Sequence, residues 1–106
     1  MDREAQRMVR GRPCKVKIIR KRPPINQFSP RGRIGRPGHT ELAFEEFEAI
    51  RLSDHTGLPQ KDAAAFMGIS QQTFSRILRK ARIAIAKALV NGETIHITGG
   101  RFKLSK

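Results

Sequence analysis

The chain has 106 residues, about the size of one ordinary domain, and 38% of them are apolar. This content is enough for a modest core but not for the cleft of a large enzyme, so a small binding module is the expected class. Twenty-two Lys and Arg against nine Asp and Glu give a formal net charge of +13 and a pI near 11.5. Such a composition favours nucleic acid as the partner, without choosing between DNA and RNA.

The sequence contains no catalytic motif and no recognised ligand spacing, so neither an enzyme nor a cofactor or metal site is expected. Its one cysteine, Cys14, cannot form an internal disulfide, and no two of Cys14 and the three histidines have the spacing of zinc ligands. The sequence shows neither a leader nor a run of eighteen apolar residues. We therefore expect a cytoplasmic protein that makes no contact with a membrane.

The charge is divided unevenly along the chain. Residues 1–40 hold twelve Lys or Arg and two acids, whereas residues 41–62 hold two bases and six acids. Residues 63–106 hold eight bases and one acid. The acidic middle segment is therefore expected to face away from any polyanion that the two ends contact.

The first segment is predicted to be a basic arm with one strand at about residues 14–19, where polar and apolar residues alternate. The prolines and glycines of residues 23–38 are predicted to prevent regular structure in the rest of the arm. Two arginine clusters are typical of flexible segments that enter a DNA minor groove: Arg10 with Arg12, and Arg33 with Arg36. A solvated tail that adds only nonspecific charge is an equal alternative.

A first amphipathic helix is predicted over about residues 43–54, where the apolar residues Ala43, Phe47 and Ile50 recur at helical spacing. Three acidic residues are predicted to lie on its other faces: Glu45, Glu46 and Glu48. Gly57 is typical of a helix stop, in which glycine takes a left-handed turn and the next apolar residue packs back on the helix.

Two more helices are predicted to follow. The second begins near Pro59 and ends at Gly68, while the third is capped by the Ser70 hydroxyl and is closed by Asn91 and Gly92. The apolar residues of the third helix are predicted to form one buried face: Phe74, Ile77, Leu78, Ala81, Ile85, Ala88 and Leu89. Ile83 lies opposite Phe74, so it is either covered by the arm and strands or available to a second subunit.

Residues 93–98 alternate in polarity and predict one further short strand. Since an isolated strand leaves its backbone groups unpaired, the two predicted strands are expected to pair with each other, within one chain or between two. The predicted fold class is mainly α, a helix-turn-helix three-helix domain with a basic N-terminal arm and one or two short β-strands. Its segments are the arm at 1–39, the helical domain at 40–92, and the C-terminal strand and basic tail at 93–106.

Residues 63–78 carry the pattern of a helix-turn-helix motif. Ala64 is the small residue needed where two helices approach, and Gly68 is suited to the positive φ of the turn. Apolar residues flank the turn in register: Ala63, Met67, Ile69, Phe74 and Ile77. A plain helical hairpin is the alternative, and the charges that follow favour the helix-turn-helix.

The third helix, over about residues 71–90, is then expected to be the recognition helix in the major groove of DNA. The candidates for contact with base edges lie in its first turns: Gln71, Gln72, Ser75 and Arg76. The candidates for contact with the DNA backbone are Ser70, Arg79, Lys80 and Arg82, together with Arg10, Arg12, Arg33 and Arg36 of the arm. A homodimer is expected, because one small helix contacts too few base pairs for high specificity.

Four runs of sequence resemble uncharacterised protein family 0251, also called domain of unknown function 134. These runs are residues 46–54, 57–70, 72–78 and 88–92 with Gly99 and Gly100. Members are small prokaryotic proteins predicted to bind DNA, and the resemblance covers about residues 43–100. Residues 58–78 also resemble the helix-turn-helix of sigma-factor region four, whose last helix docks in promoter DNA. The resemblance implies a transcription-related protein whose partner is double-stranded DNA.

Two other functions stay open on the sequence. The chain could be an RNA-binding or ribosome-associated protein that uses its arm, although six Phe with no Tyr or Trp lack the aromatic-strand pattern of RNA-binding sheets. It could also be a sigma-like module in which the acidic helix contacts RNA polymerase through Glu45 and Glu48.

Overall fold

The computed structural model describes residues 17–32 and 35–99, together with the backbone of residues 102–104. Within this part the elements follow in the order β1 (Lys17–Ile19), β2 (Gln27–Phe28), β3 (His39–Leu42), α1 (Phe44–Ile50), a π-helical turn (Arg51–His55), α2 (Gln60–Phe66), α3 (Gln71–Asn91), β4 (Thr94–Ile97) and β5 (Phe102–Leu104). The predicted class, mainly α with a helix-turn-helix-like domain, is confirmed, although the strands outnumber the one or two expected. None of the helices described is long and apolar enough to cross a membrane.

The first predicted helix forms as α1 followed by the π-helical turn. It begins where the backbone N–H of Ala43 donates to Glu46 Oε1 at 2.9 Å, the carboxylate half of a capping box. In the wider turn the Thr56 N–H donates to the Arg51 carbonyl, five residues back. Gly57 ends the helix at a φ of 85°, as predicted for the helix stop.

Helices α2 and α3 form the predicted helix-turn-helix, and Gly68 occupies its turn with a φ of 68°. A Cβ atom on Gly68 would stand only 3.1 Å from Cδ1 of Ile18, so both the backbone conformation and a close contact require glycine. Ser70 caps α3 as predicted, because its Oγ accepts the Thr73 N–H at 3.1 Å.

The core has two parts, and α3 contributes to both. One part lies between α1, α2 and the first half of α3, and it buries Ala64, predicted where the two helices approach, and the residues predicted to flank the turn: Ala63, Met67, Ile69, Phe74 and Ile77. The other lies between the second half of α3 and the sheet, around Leu42, Ala81 and Ile97. The predicted burial of Leu89 is wrong: it is 76% exposed, because the buried side of the helix runs through Ala81 and Ala88, and Leu89 lies about 100° around the helix from Ala88.

The strands pair differently from the prediction. β4 lies between β2, which is antiparallel to it, and β3, which is parallel to it. The predicted pairing of the strand near residues 14–19 with the strand near residues 93–98 is therefore wrong. Since both edges of β4 are occupied, β1 pairs instead with β5, in parallel.

The prediction that residues 23–38 lack regular structure is also wrong, since β2 lies within them. The prolines flank this strand and do not interrupt it: Pro24 precedes it and Pro30 follows it, so both of its residues keep an N–H for pairing with β4. Two residues are too few for alternating polarity to be visible in the sequence.

Glu48 lies on the packed side of α1 and is fully buried, so it is not offered to a partner on an acidic surface. Its carboxylate accepts Nε and Nη2 of Arg51 at 2.8 and 2.9 Å, and the backbone N–H of Arg20 at 2.8 Å. The hydrogen bond and the charge of Glu48 raise the pKa of the Arg51 guanidinium. Glu48 thus fastens the segment after β1 to the first helix.

Candidate nucleic-acid interface

The first half of α3 presents one continuous polar face to solvent. Phe74 and Ile77 are buried on the other side, and this packing fixes which residues point outward. All four predicted base-contact residues are exposed, as are the two cations that follow them: Gln71, Gln72, Ser75, Arg76, Arg79 and Lys80. The helical period therefore brings these predicted site residues together on one surface.

Two of the predicted contact residues also hold the motif together. Ser75 Oγ donates to Gln60 Oε1 at 2.5 Å, a bond between α3 and α2. The Ser70 hydroxyl accepts the Thr73 N–H and donates to Thr73 Oγ1 at 2.9 Å. Both hydroxyls are thus engaged in building the helix-turn-helix.

The cations of α3 fall into two groups. Arg76, Arg79 and Lys80 have no carboxylate partner among the residues that the structure describes. Arg82, in contrast, makes a two-pronged ion pair with Asp54, with distances of 2.7 Å from Nη2 to Oδ1 and 3.1 Å from Nε to Oδ2. This hydrogen-bonded contact lowers the pKa of the Asp54 carboxyl. The predicted contact of Arg82 with the DNA backbone therefore has to compete with its ion pair to Asp54.

The segment around β1 packs directly on the helix-turn-helix. The Ile18 N–H donates to the Met67 carbonyl at 3.0 Å, just before the turn. Arg20 Nε donates to the Phe66 carbonyl at 3.2 Å, and its guanidinium carbon lies 5.0 Å from the centre of the Phe66 ring. The part of the basic arm around β1 is therefore anchored at the end of α2.

Of the predicted arm contacts, Arg36 is exposed just before β3. Arg10, Arg12 and Arg33 lie outside the described residues. The anchoring role of Glu48 was not predicted from the sequence. Its three-residue spacing to Arg51 was an available signal, because that spacing places two side chains next to each other on a helix.

These elements define a helix-turn-helix-like domain whose third helix carries an exposed polar and cationic face. The chain belongs to the family described as protein of unknown function DUF134, whose model matches residues 1–105. The resemblance expected from the sequence is therefore confirmed, and the match extends through the N-terminal arm as well as the helical domain.

The relatives carry the name UPF0251 protein. One from Methanococcus maripaludis (strain C7) is 42% identical over 96 residues, which cover 90% of this chain and 74% of the relative. One from Syntrophobacter fumaroxidans is 46% identical over 90 residues, 84% of this chain and 58% of the relative. One from Caldicellulosiruptor bescii is 45% identical over 91 residues, 86% of this chain and 64% of the relative. No solved structure matches the chain.

Proposed function

We propose that the protein is a sequence-specific double-stranded DNA-binding protein and a cytoplasmic transcriptional regulator, with α3 as its recognition helix. One observation carries this proposal. The first half of α3 exposes amide and cationic side chains that have no partner among the described residues: Gln71, Gln72, Arg76, Arg79 and Lys80. A chain with a net charge of +13 is attracted to a polyanion, and this face offers both charge and hydrogen-bonding groups.

The chemistry of this face suits the major groove. Gln71 and Gln72 can each pair with adenine through two hydrogen bonds, and Arg76 can pair with guanine in the same way. Each such pair contributes roughly 1 to 3 kcal/mol of discrimination. Arg79 and Lys80 lie one turn further along, where contact with phosphates gives affinity without sequence information.

The proposed function includes a homodimer that forms through the second half of α3. Three large apolar residues are exposed there, with exposed fractions of 57% for Ile83, 76% for Leu89 and 84% for Val90. Both cations within this second half are already neutralised, since Arg82 pairs with Asp54 and Lys87 pairs with Glu93 at 2.6 Å. Because two chains of charge +13 repel each other, a locally neutral apolar surface is where two copies can approach.

The length of α3 fits this arrangement. Roughly 13 residues separate the middle of the reading segment from the middle of the apolar stretch, which is about 20 Å at the rise of an α-helix. Two copies that meet at the apolar stretch can hold their reading segments up to about 40 Å apart. This range includes the separation of roughly 34 Å between half-sites one helical turn apart.

Selection of bound duplexes from a random DNA library tests the function as a whole. We expect enrichment of a short motif repeated with two-fold symmetry, because each copy of α3 reads one half-site. Recovery of unrelated duplexes with equal affinity would contradict base reading. Preferential binding to RNA in a competition assay would instead favour the ribosome-associated alternative.

The dimer has a separate test in sedimentation equilibrium. Val90→Glu is expected to shift the protein from dimer to monomer, because it places a charge in the apolar surface of each copy. Ile25→Glu is the matched control, since Ile25 is also an exposed apolar residue but lies on the segment before β2, far along the chain from α3. A dimer that survives Val90→Glu, or one that Ile25→Glu dissociates equally, would contradict this interface.

A further inference from the structure

A groove of about 390 Å³ lies between the first helix and the segment that follows β1. Its floor is apolar and is formed by Phe47 and Ile50, which are half-buried, while Pro24 lines the facing wall. No residue of α3 lines it. The groove is therefore separate from the face that we propose to read DNA.

The π-helical turn shapes one wall of this groove. Arg51, His55 and Thr56 all line it, although Thr56 follows Arg51 by five residues. In an α-helix, two side chains five residues apart point in directions that differ by about 140° around the helix axis. The π-type bond from the Thr56 N–H to the Arg51 carbonyl, 2.8 Å long, instead brings both residues to the groove. Single π-helical turns of this kind occur frequently at functional sites.

The rim of the groove is positively charged. Lys21 and Arg22 are exposed on it, His55 also lines the groove, and none of the acidic residues that the structure describes lines it. Neither Lys21 nor Arg22 has a carboxylate partner in the described part of the chain. The nearby carboxylate of Glu48 does not neutralise them, because it is buried in its bonds with Arg51.

The rim is also held in place. The backbone N–H of Arg20 donates to buried Glu48, so the residue directly before Lys21 is fixed to α1. Arg20 also donates to the carbonyl of Phe66 at the end of α2. A fixed backbone lowers the entropic cost of bringing the two cations to a ligand.

We propose that this groove binds a small amphipathic anion, an apolar ring system or short chain that carries one carboxylate, sulfonate or phosphate group. The apolar body covers Phe47 and Ile50, and the anionic group meets Lys21 and Arg22. Both parts are needed, because a bare anion leaves the apolar floor uncovered and a neutral ligand leaves the cations unused. The volume lies within the range of small-molecule sites, about 300 to 1,000 Å³. The site does not depend on the proposed DNA-binding function.

Two fluorescent probes with the same apolar body test this site directly on the full chain. The probe 1-anilinonaphthalene-8-sulfonate carries a sulfonate, whereas N-phenyl-1-naphthylamine does not. We expect the sulfonate probe to bind at one site per chain and about tenfold or more tighter than the neutral probe, a ratio equivalent to about 1.4 kcal/mol. The double variant Lys21→Gln/Arg22→Gln is expected to remove this preference while leaving the affinity for the neutral probe within twofold.

The matched control is Arg31→Gln/Arg36→Gln, which removes the same charge from two exposed arginines that do not line the groove. This control is expected to keep the preference for the sulfonate probe. Equal losses in the two double variants, or equal affinity of the wild type for both probes, would overturn the proposal. Amide chemical-shift changes on addition of the sulfonate probe should cluster at Lys21, Arg22 and residues 51–56, and a cluster near Leu89 would also overturn the proposal.

Discussion

Helices α1 and α3 are both rich in charged residues, but they use them in opposite ways. Every carboxylate of α1 has a partner within the chain: Glu45 with Lys17 at 3.5 Å, Glu46 with the Ala43 N–H, and Glu48 with Arg51 and Arg20. In the first half of α3, Arg76, Arg79 and Lys80 have no carboxylate partner among the described residues. The charges of α1 hold the fold together, whereas those of α3 are available to another molecule.

The difference teaches that local charge density does not by itself identify a binding surface. The acidic middle segment could have been a contact surface for RNA polymerase, with Glu45 and Glu48 as its contact residues. Glu48 is fully buried, and Glu45 is mostly covered and paired with Lys17. The partners of each side chain, which only the fold reveals, separate a structural charge from an available one.

The largest effect is expected at Glu48. Glu48→Ala should lower the free energy of unfolding by about 3 to 5 kcal/mol, because it leaves the Arg51 guanidinium without its partner and the Arg20 N–H without an acceptor. Urea denaturation measures this change. Glu41→Ala, at a side chain that is 58% exposed, is the control and should stay within about 0.5 kcal/mol of the wild type. If Glu48→Ala changed the free energy of unfolding as little as Glu41→Ala, the conclusion that the charges of α1 hold the fold together would be contradicted.

An intermediate effect is expected at Arg76, and it should appear in binding and not in stability. Arg76→Ala should cost roughly 1 to 3 kcal/mol on a selected DNA site and little on random duplex. Arg79→Ala should weaken both duplexes alike, since a phosphate contact carries no sequence information. Fluorescence anisotropy titrations of the two duplexes measure these changes. Equal losses on both duplexes for Arg76→Ala would refute its reading role.

The smallest effect on stability is expected at Asp54. Asp54→Asn should change the free energy of unfolding by less than about 1 kcal/mol, because its ion pair with Arg82 is exposed. It should also release Arg82 for DNA. If Arg82 then binds one more phosphate, the dependence of log affinity on log salt concentration should steepen by roughly 0.9. An unchanged slope would show that Arg82 stays outside the interface.

The same pair has a pH dependence of known sign. Because Arg82 lowers the pKa of Asp54 in the folded protein, the stabilisation is fully present above the ordinary pKa of an aspartate. It is lost as the pH falls through the lowered value. The stability difference between the wild type and Asp54→Asn should therefore vanish in strong acid, as measured by urea denaturation across that pH range.

Much of the helical domain could be predicted because its signals act over short distances in sequence. Gly68 marks the turn, Ser70 caps the next helix, and Gly57 ends the first one. The exposure of Gln72 and Arg76 also followed from the helical period, once Phe74 had been assigned to the core. Each of these inferences depends on residues within about one or two turns of each other.

The remaining features depend on residues far apart in the sequence. Asp54 and Arg82 are 28 positions apart, as are Arg20 and Glu48, and their contacts require knowing how the elements pack. β1 lies within the strand predicted at about residues 14–19, but its parallel partner β5 has only three residues and lies at the other end of the chain, so this pairing had no local signal. The π-helical turn also had no signal, because the same residues fit an α-helical pattern.

The two parallel strand pairs carry a consequence for the order of folding. Each pair joins a strand that precedes the helices in sequence to one that follows them: β3 pairs with β4, and β1 pairs with β5. Closing such long loops costs entropy before the strands form their first hydrogen bond, whereas helical contacts are local. The three helices are therefore expected to assemble first, and the parallel pairs to close late. A destabilising substitution in β1, such as Ile19→Ala, should accelerate unfolding and leave the refolding rate almost unchanged.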